Sequence, residues 1–487
     1  MTHRMGPGPT RRGVLTGAGA MGLSATAARA GYLPAPERTE AFDVVVVGAG
    51  MAGCAAALQA AEDGARVCVL EKAREARMGG NSALAGGGFA MPPGPGEGAR
   101  AAFLEDFEKK AQGRGNSDLY EVMAAHARED VAWLAEHGID FTDEMRVDPY
   151  HVVMAVVAPG FYMGMPRALR HLRSRIEERG GSFRFETKAQ HLVMNDAGSV
   201  EGVRVVGPGG VADLTAPAVV LAAGGYPANT RLLESYSDPN AGALMVRGVP
   251  WATGDGLEMA RGVGAGWKGM GGVMALHVAA VDPVETAAGN PFSLLPHAIS
   301  VNREGQRFID ETRGYVAHGK AVLEQPGQRA ALVFDEKIAE LPAAESTLGT
   351  FRRLGIDVKS AGSLADLARA IEVPPEALED TVTRYNAAAK EGRADGLEPP
   401  KSDYAHVVEG PTYHALYPLA PGVTLTFGGL MIDTSARVLE ADERVIPGLF
   451  AAGEGAGHAF FNDYVGGGAL TNCLVMGRIA GRRAAGG

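Results

Sequence analysis

Three glycines and one acid define the first chemistry this sequence can do. Gly48, Gly50 and Gly53 form a GxGxxG turn directly after the apolar run Val44-Val45-Val46-Val47. The first glycine permits a tight turn, the second lets the backbone approach a pyrophosphate, and the third lets a helix pack close to a strand. The next element, an Ala-rich helix opened by Ala55-Ala56-Ala57 and ended by Asp63-Gly64, turns its positive N-terminus toward the phosphates. A second strand, Val67-Cys68-Val69-Leu70, ends at Glu71, where an acid accepts ribose hydroxyls. An acid there, rather than an arginine, disfavours a 2′-phosphate and so disfavours NADP.

The residues after this acid separate FAD from NAD. Gly79, Gly80, Asn81 and Ser82 come next, then Gly86-Gly87-Gly88, a glycine-lined path that suits the ribityl and pyrophosphate of a flavin. Two further buried strands end in small residues: residues 219–225 at Ala223-Gly224-Gly225, and residues 449–454 at Gly453-Glu454. Gly468, Ala469 and Leu470 open a C-terminal helix that ends near Arg482 and points its dipole at the flavin's pyrimidine carbonyl. Met51, Ala52, Lys72, Ala189 and Asp255 complete the expected cofactor cradle.

The elements that position these residues can be read from periodicity. Residues 101–138 and 166–179 read as helices, with Phe103, Phe107, Leu119, Met123, Trp133 and Leu134 forming a core stripe. Residues 182–222 switch to short β-rich runs broken at Asp196-Ala197-Gly198 and Gly207-Pro208-Gly209-Gly210, a meander. From about residue 271 a different module begins, with short strands near 298–309 and 330–334 and charged helices to about 391; Glu398-Pro399-Pro400 punctuates its end.

Composition narrows the class. Glycine, at 68 of 487 residues, is about twice its usual share, yet no Gly-X-Y period accompanies it. Three scattered cysteines (Cys54, Cys68 and Cys473) are too few for a disulfide framework, a zinc ribbon or an iron–sulfur cluster, and no haem-attachment motif occurs. The net charge of −11 argues against nucleic acid as a partner. The first thirty residues hold four Arg and no acid: Thr10-Arg11-Arg12-Gly13-Val14-Leu15, a weakly apolar run, then Ala28-Arg29-Ala30. This reads as a twin-arginine signal cleaved after Ala30, giving a periplasmic or secreted mature chain with no integral membrane segment.

The chain resembles the FAD-dependent fumarate reductase/succinate dehydrogenase flavoprotein superfamily, in its soluble flavocytochrome, 3-ketosteroid dehydrogenase and tricarballylate dehydrogenase branch. The resemblance covers residues 43–480 and rests on VVVVGAGMAG with LEK, MGGNSALAGGG, VVLAAGG, ATGDG, VNREGQRFIDE, TVTRYN and PGLFAAGE, which lie between Val44 and Glu454. It implies an α/β fold: a Rossmann-like FAD-binding domain with a parallel sheet and β-meander, plus an inserted α+β capping domain. The expected order is signal (1–30), FAD-binding domain (40–270), capping domain (271–424) and the rest of the FAD-binding domain (425–487). Covalent members carry a His where Asn81 precedes Ser82, so the FAD is expected to be non-covalent.

The resemblance also implies where substrate sits: between residues 301–319 and the loop 458–468. Fumarate-reducing relatives use an Arg proton donor four residues after the Glu of RFxxE; from Glu311 that position is Tyr315, and the nearest Arg is Arg313. Their Glu–Arg relay falls on apolar residues such as Leu294, their His before the returning GG is Leu425, and their carboxylate-clamping Arg is Tyr464. Loss of a bidentate clamp speaks against fumarate. In ketosteroid-type relatives a Tyr at this place hydrogen-bonds the substrate carbonyl, so Tyr464 is either a carbonyl-binding residue or a packing residue.

Tyr315 and Arg313 are the candidates for proton transfer; His277 and His318 are weaker ones. Phe427, Phe460, Phe461, Leu425, Met154, Phe161, Tyr162, Met163 and Met165 either line an apolar pocket or fill the core. The expected activity is hydride transfer between flavin N5 and a CH–CH or C=C bond beside a carbonyl, in a relatively apolar, enone- or ketosteroid-like small molecule. A carboxylate-specific enzyme anchored by Arg313 or another basic residue, and a non-catalytic FAD-binding subunit, are the alternatives. Electrons are expected to pass to or from an external carrier such as a cytochrome or quinone.

Overall fold

The computed structural model describes residues 35–147, 150–271, 274–281 and 289–487, excepting the side chains of 274–277 and 279. The expected signal over residues 1–30 lies outside the described residues. In chain order the cofactor side begins with β1 (Val44–Val47), α1 (Met51–Glu62) and β2 (Val67–Leu70). All four residues of each strand are buried, as β-branched runs are when both faces of a parallel sheet are covered. The helical stretch expected over 101–138 is two helices, α2 (Glu97–Lys110) and α3 (Ser117–Glu136), and the Asn116 side chain caps the second at Leu119 N. The stripe from Phe103 to Leu134 is buried.

The β-rich stretch divides between two sheets. Its first and last strands, β3 (Ser182–Arg184) and β7 (Ala218–Leu221), join the parallel sheet. Only β4 (Lys188–Met194), β5 (Val200–Gly207) and β6 (Gly210–Thr215) form the antiparallel meander.

A second hydrophobic core draws on residues between Val278 and Leu419. Its sheet contains β8 (Met245–Val246), β9 (Met274–Ala280), β10 (Ile299–Asn302), β11 (Ala330–Asp335) and β12 (Tyr413–Thr426), with α4 (Tyr315–Leu323) packed on β9 and β12. The expected strand to residue 309 stops at Asn302, because Asn302 Oδ1 accepts from Glu304 N and Gln306 N and turns the chain. The sheet also reaches past Glu398-Pro399-Pro400 through β12, and β8 joins it from before residue 271.

The chain then returns through β13 (Arg437–Leu439), β14 (Val445–Ala451) and α5 (Gly468–Ala484). The finished parallel sheet runs β13-β14-β7-β1-β2-β3, with only β13 antiparallel. Helix α5 lies against α1 at backbone distance. A Cβ on Gly477 would stand 2.6 Å from the Ala52 carbonyl, and one on Gly481 would overlap Ala56. An Ala-rich α1 buried along almost its whole length is what allows that approach.

Candidate functional site

The carboxyl ends of β1, β2, β7 and β14 converge on one cavity. Gly48, Gly50, Met51 and Ala52 line it from the first turn, with Glu71 and Lys72 from the end of β2. Gly79 to Ser82 line it too, with Ala189 of β4, Ala223 and Gly224 after β7, Asp255, and Gly453-Glu454 after β14. The three glycines of the turn divide the labour as their spacing implies. Gly48 has φ 106°, and a Cβ there would overlap the Ala222 carbonyl; a Cβ on Gly53 would overlap the Gly48 carbonyl. Gly50 alone faces the cavity with ordinary clearance.

The donor set fits a dinucleotide. Glu71 is buried and accepts from Ala73 N at 2.8 Å and Ala49 N at 3.3 Å; burial pushes its carboxyl up against these bonds. Lys72 and Lys188 bracket Asp255 at 2.6 and 3.3 Å. Burial raises Asp255, but the two lysines outweigh it and hold it below its ordinary range. Glu454 accepts from Thr426 N at 2.8 Å, and burial pushes its carboxyl up to about 7. A Cβ on Gly80 would meet no protein atom within 4 Å, and one on Gly224 only a carboxylate at 3.9 Å, so the space beside both is open to a ligand. Asn81 spans the floor: its Nδ2 donates to Thr424 O at 3.0 Å and its Oδ1 accepts from Val249 N at 2.9 Å.

Seven expected cradle positions lie off the cavity: Gly53, Gly86, Gly87, Gly88, Gly468, Ala469 and Leu470. Packing explains the glycines among them. A Cβ on Gly86 would press on the Phe161 ring at 3.2 Å, one on Gly88 would overlap Met154, and one on Gly468 would meet Phe107 at 3.0 Å. Residues outside the expected cradle complete the wall, among them Thr187, Lys188, Val249, Trp251, Met259 and Cys473.

Beyond Asn81, β12 leads to an aromatic junction. Phe427 sits edge-on to Tyr464 with centroids 5.7 Å apart, Phe460 lies 5.9 Å from Tyr464, and Phe292 lies 5.3 Å from Tyr315. The Tyr315 hydroxyl donates to that of Tyr464 at 3.4 Å. Burial raises both phenols above their ordinary value, Tyr315 the more strongly, so both are neutral donors at physiological pH. Phe161, Tyr162 and Met163 are 45, 56 and 63 % exposed, whereas Met154 and Met165 are core. Leu425 is half-buried against the first core and Phe461 lies under the Arg114 guanidinium.

Arg313 does not join Tyr315. It is exposed at the end of the turn Glu311–Arg313, and Gly314, at φ 92°, redirects the chain so that Tyr315 enters α4. Glu311 goes inward: it is fully buried and accepts from Ser300 N, Arg307 and Lys401. Burial raises its carboxyl, but Lys401 and Arg307 outweigh that and hold it low. His318 lies beside this cluster with its Nε2 2.7 Å from Ser300 Oγ, and burial pushes it down to about 4. Leu294 is fully buried in the second core. His277 pairs with Gly422 through the backbone of β9; its side chain lies outside the described residues.

One cation near the junction carries no signal in the sequence. Arg247 follows β8, is 4 % exposed, and donates its backbone N–H to Val423 O at 2.8 Å; its positive charge reaches Tyr464 and partly offsets the burial effect there. No motif marks it. It owes its place to β8 pairing with a strand about 175 residues away, a tertiary contact that no local pattern announces.

Comparison with known proteins places this geometry. A family described as "FAD binding domain" matches residues 43–470. A fumarate reductase (cytochrome) of Shewanella frigidimarina is 33 % identical, over 94 % of this chain and 79 % of its own. A urocanate reductase of Eggerthella lenta is 31 % identical, over 93 and 76 %. The open conformation of a flavocytochrome c3 fumarate reductase superposes with a TM-score of 0.78 at 30 % identity, covering 96 % of this chain and 80 % of that one. A 3-ketosteroid-Δ4-(5α)-dehydrogenase from Rhodococcus jostii RHA1 shares the fold, with a TM-score of 0.74 at 24 % identity, over 95 and 99 % of the two chains. Among the described residues no helix is long and apolar enough to cross a membrane. The chain belongs to the FAD-dependent fumarate reductase/succinate dehydrogenase flavoprotein superfamily and is an oxidoreductase acting on carbon–carbon double bonds or their reduced counterparts.

Proposed function

We propose that the protein is an exported FAD-dependent oxidoreductase whose substrate carries its C=C or CH–CH bond beside a carbonyl and is comparatively apolar, enone- or ketosteroid-like. The FAD, when bound, supplies the hydride acceptor or donor. The observation that carries the reading is the pair of neutral hydroxyls, Tyr315 and Tyr464, 3.4 Å apart in an aromatic wall. Tyr464 hydrogen-bonds the carbonyl oxygen and stabilises the negative charge that develops there. Tyr315 gives or takes the proton at carbon. Phe427 and Phe460 hold the Tyr464 ring in place.

Asn81 supports a non-covalent flavin, since its carboxamide is engaged at both ends where covalent members carry a His. Arg11-Arg12 and Ala28-Arg29-Ala30 support twin-arginine export. An external carrier, a cytochrome or a quinone, would exchange electrons with the flavin, in keeping with the cytochrome in the relative's name.

A carboxylate-specific reading has one observation in its favour, the buried Arg247 guanidinium near Tyr464, which would bind a substrate carboxylate in place of the absent clamp. The two readings separate in one experiment. The flavin-loaded protein is reduced anaerobically and mixed with fumarate, urocanate, a 3-keto-4-ene steroid or an aryl enone while the visible flavin band is followed. Reoxidation by an enone and not by fumarate is expected; reoxidation by fumarate or urocanate alone would overturn the apolar assignment in favour of Arg247.

A further inference from the structure

The loop that carries Tyr464 is gripped from two sides. Lys110 of α2 holds the Asp463 carboxylate at 2.6 Å, and Asp463 Oδ1 accepts from the Tyr464 amide at 2.8 Å. From the opposite side Lys320 of α4 donates to the Asn462 carbonyl at 2.8 Å and to its Oδ1 at 2.5 Å. Asn462 sits at φ 62°, a left-handed conformation that asparagine tolerates better than most residues.

Tyr315 and Lys320 lie on the same short helix, so α4 touches this loop twice: hydroxyl to hydroxyl at Tyr464, and ammonium to neutral oxygens at Asn462. The second contact is an unusual one to bury. Both acceptors are uncharged, and burial pushes the amine down to about 8 while Asp463 and Asp238 pull it the other way from beyond contact. A half-buried ammonium held by neutral oxygens, with its carboxylates beyond contact, gains little net stability from the contact. What the contact does fix is geometry, and it is released to water if α4 lifts from the loop. That combination suits a tie that forms and breaks as a cap closes over substrate.

We infer that Lys320 is a positioning residue: by gripping Asn462 from the cap it sets the approach of Tyr315 to Tyr464, so that the two hydroxyls align only when α4 is docked on the loop. The inference rests on reading these tyrosines as the reacting pair. It is tested in the full-length, flavin-loaded protein with an aryl enone as oxidant. Lys320→Met, Lys320→Gln and Lys320→Arg are compared with Tyr315→Phe and Tyr464→Phe.

Lys320→Met is expected to lower kcat by about 10²-fold, with flavin content kept and KM changed far less. Amide hydrogen exchange at residues 462–464 should quicken in the same variant. Lys320→Arg, which carries donors of the same charge, is expected to recover most of the turnover; Lys320→Gln serves in place of Met if the Met chain fails to fold. Wild-type turnover in Lys320→Met and Lys320→Gln, alongside inactive Tyr→Phe variants, would overturn the positioning role and leave the tyrosine reading standing. Full turnover in both Tyr→Phe variants would overturn that reading, and the inference with it.

Discussion

The cofactor cavity and the tyrosine junction are neighbours joined by β12, yet they are built in opposite ways. Asn81 on the cavity floor bonds Thr424, and three residues further on Phe427 meets Tyr464. The cavity is shaped by main chain: turns so close that a single added methyl at Gly48 or Gly53 overlaps a carbonyl. The junction is shaped by side chains borne on two separate cores, Tyr315 on one and Tyr464 on the other. Change in the first is therefore expected to spoil the fit to a dinucleotide, whereas change in the second is expected to alter chemistry while the cofactor stays. Under the proposed function, cofactor fit and substrate fit are therefore expected to be separable.

The largest expected effect comes from breaking the main-chain side. Gly53→Ala forces a Cβ into the Gly48 carbonyl and is expected to cost about 3 kcal/mol or more, with loss of flavin. Thermal melting and flavin absorbance of the purified variant check this; a Gly53→Ala protein with full flavin would erase the contrast. The same glycine at a different place is under a different constraint, which explains what could be read from sequence. Gly48, Gly50 and Gly53 were legible because backbone geometry restricts the residue type at fixed spacing. Gly88 and Gly468 stand against Met154 and Phe107, and the letter alone does not tell a glycine pressed by side chains from one that faces the cavity.

A second, smaller effect should appear on the side of the second core alone. His318 is neutral in the folded chain, pushed down to about 4 from 6.5, so its contribution is complete above pH 6.5 and is lost as pH falls from 6.5 to 4. That window corresponds to about 3 kcal/mol at most. Because His318 lies on α4 between Tyr315 and Lys320, acidification should reduce turnover before it releases flavin. Parallel measurement of activity and flavin retention between pH 7 and 4.5 checks the order, and His318→Gln should flatten the loss. Simultaneous loss of both in the wild type would contradict the separation.

The smallest effect belongs to Arg313. Exposed and outside the junction, its replacement by Ala should change stability by no more than about 0.5 kcal/mol and leave turnover within about twofold of wild type. The sequence placed Arg313 and Tyr315 as equals because only Gly314 lies between them; the inward course of Glu311 and the turn at Gly314 send the two side chains to different surroundings, and neither is a local signal. Arg247 and Lys320 were illegible for a related reason. Both act across contacts between segments far apart in sequence, where no period or motif reaches.

The most direct test of the tyrosine pair is a single-turnover experiment. Wild-type and Tyr464→Phe proteins, matched for flavin content, are reduced anaerobically and mixed with an aryl enone in a stopped-flow instrument. Reoxidation of the Tyr464→Phe protein is expected to be slower by about 10²–10³-fold at saturating enone, the effect of removing one donor to a developing oxyanion. Equal rates in the two proteins would contradict the assignment of Tyr464 to the carbonyl.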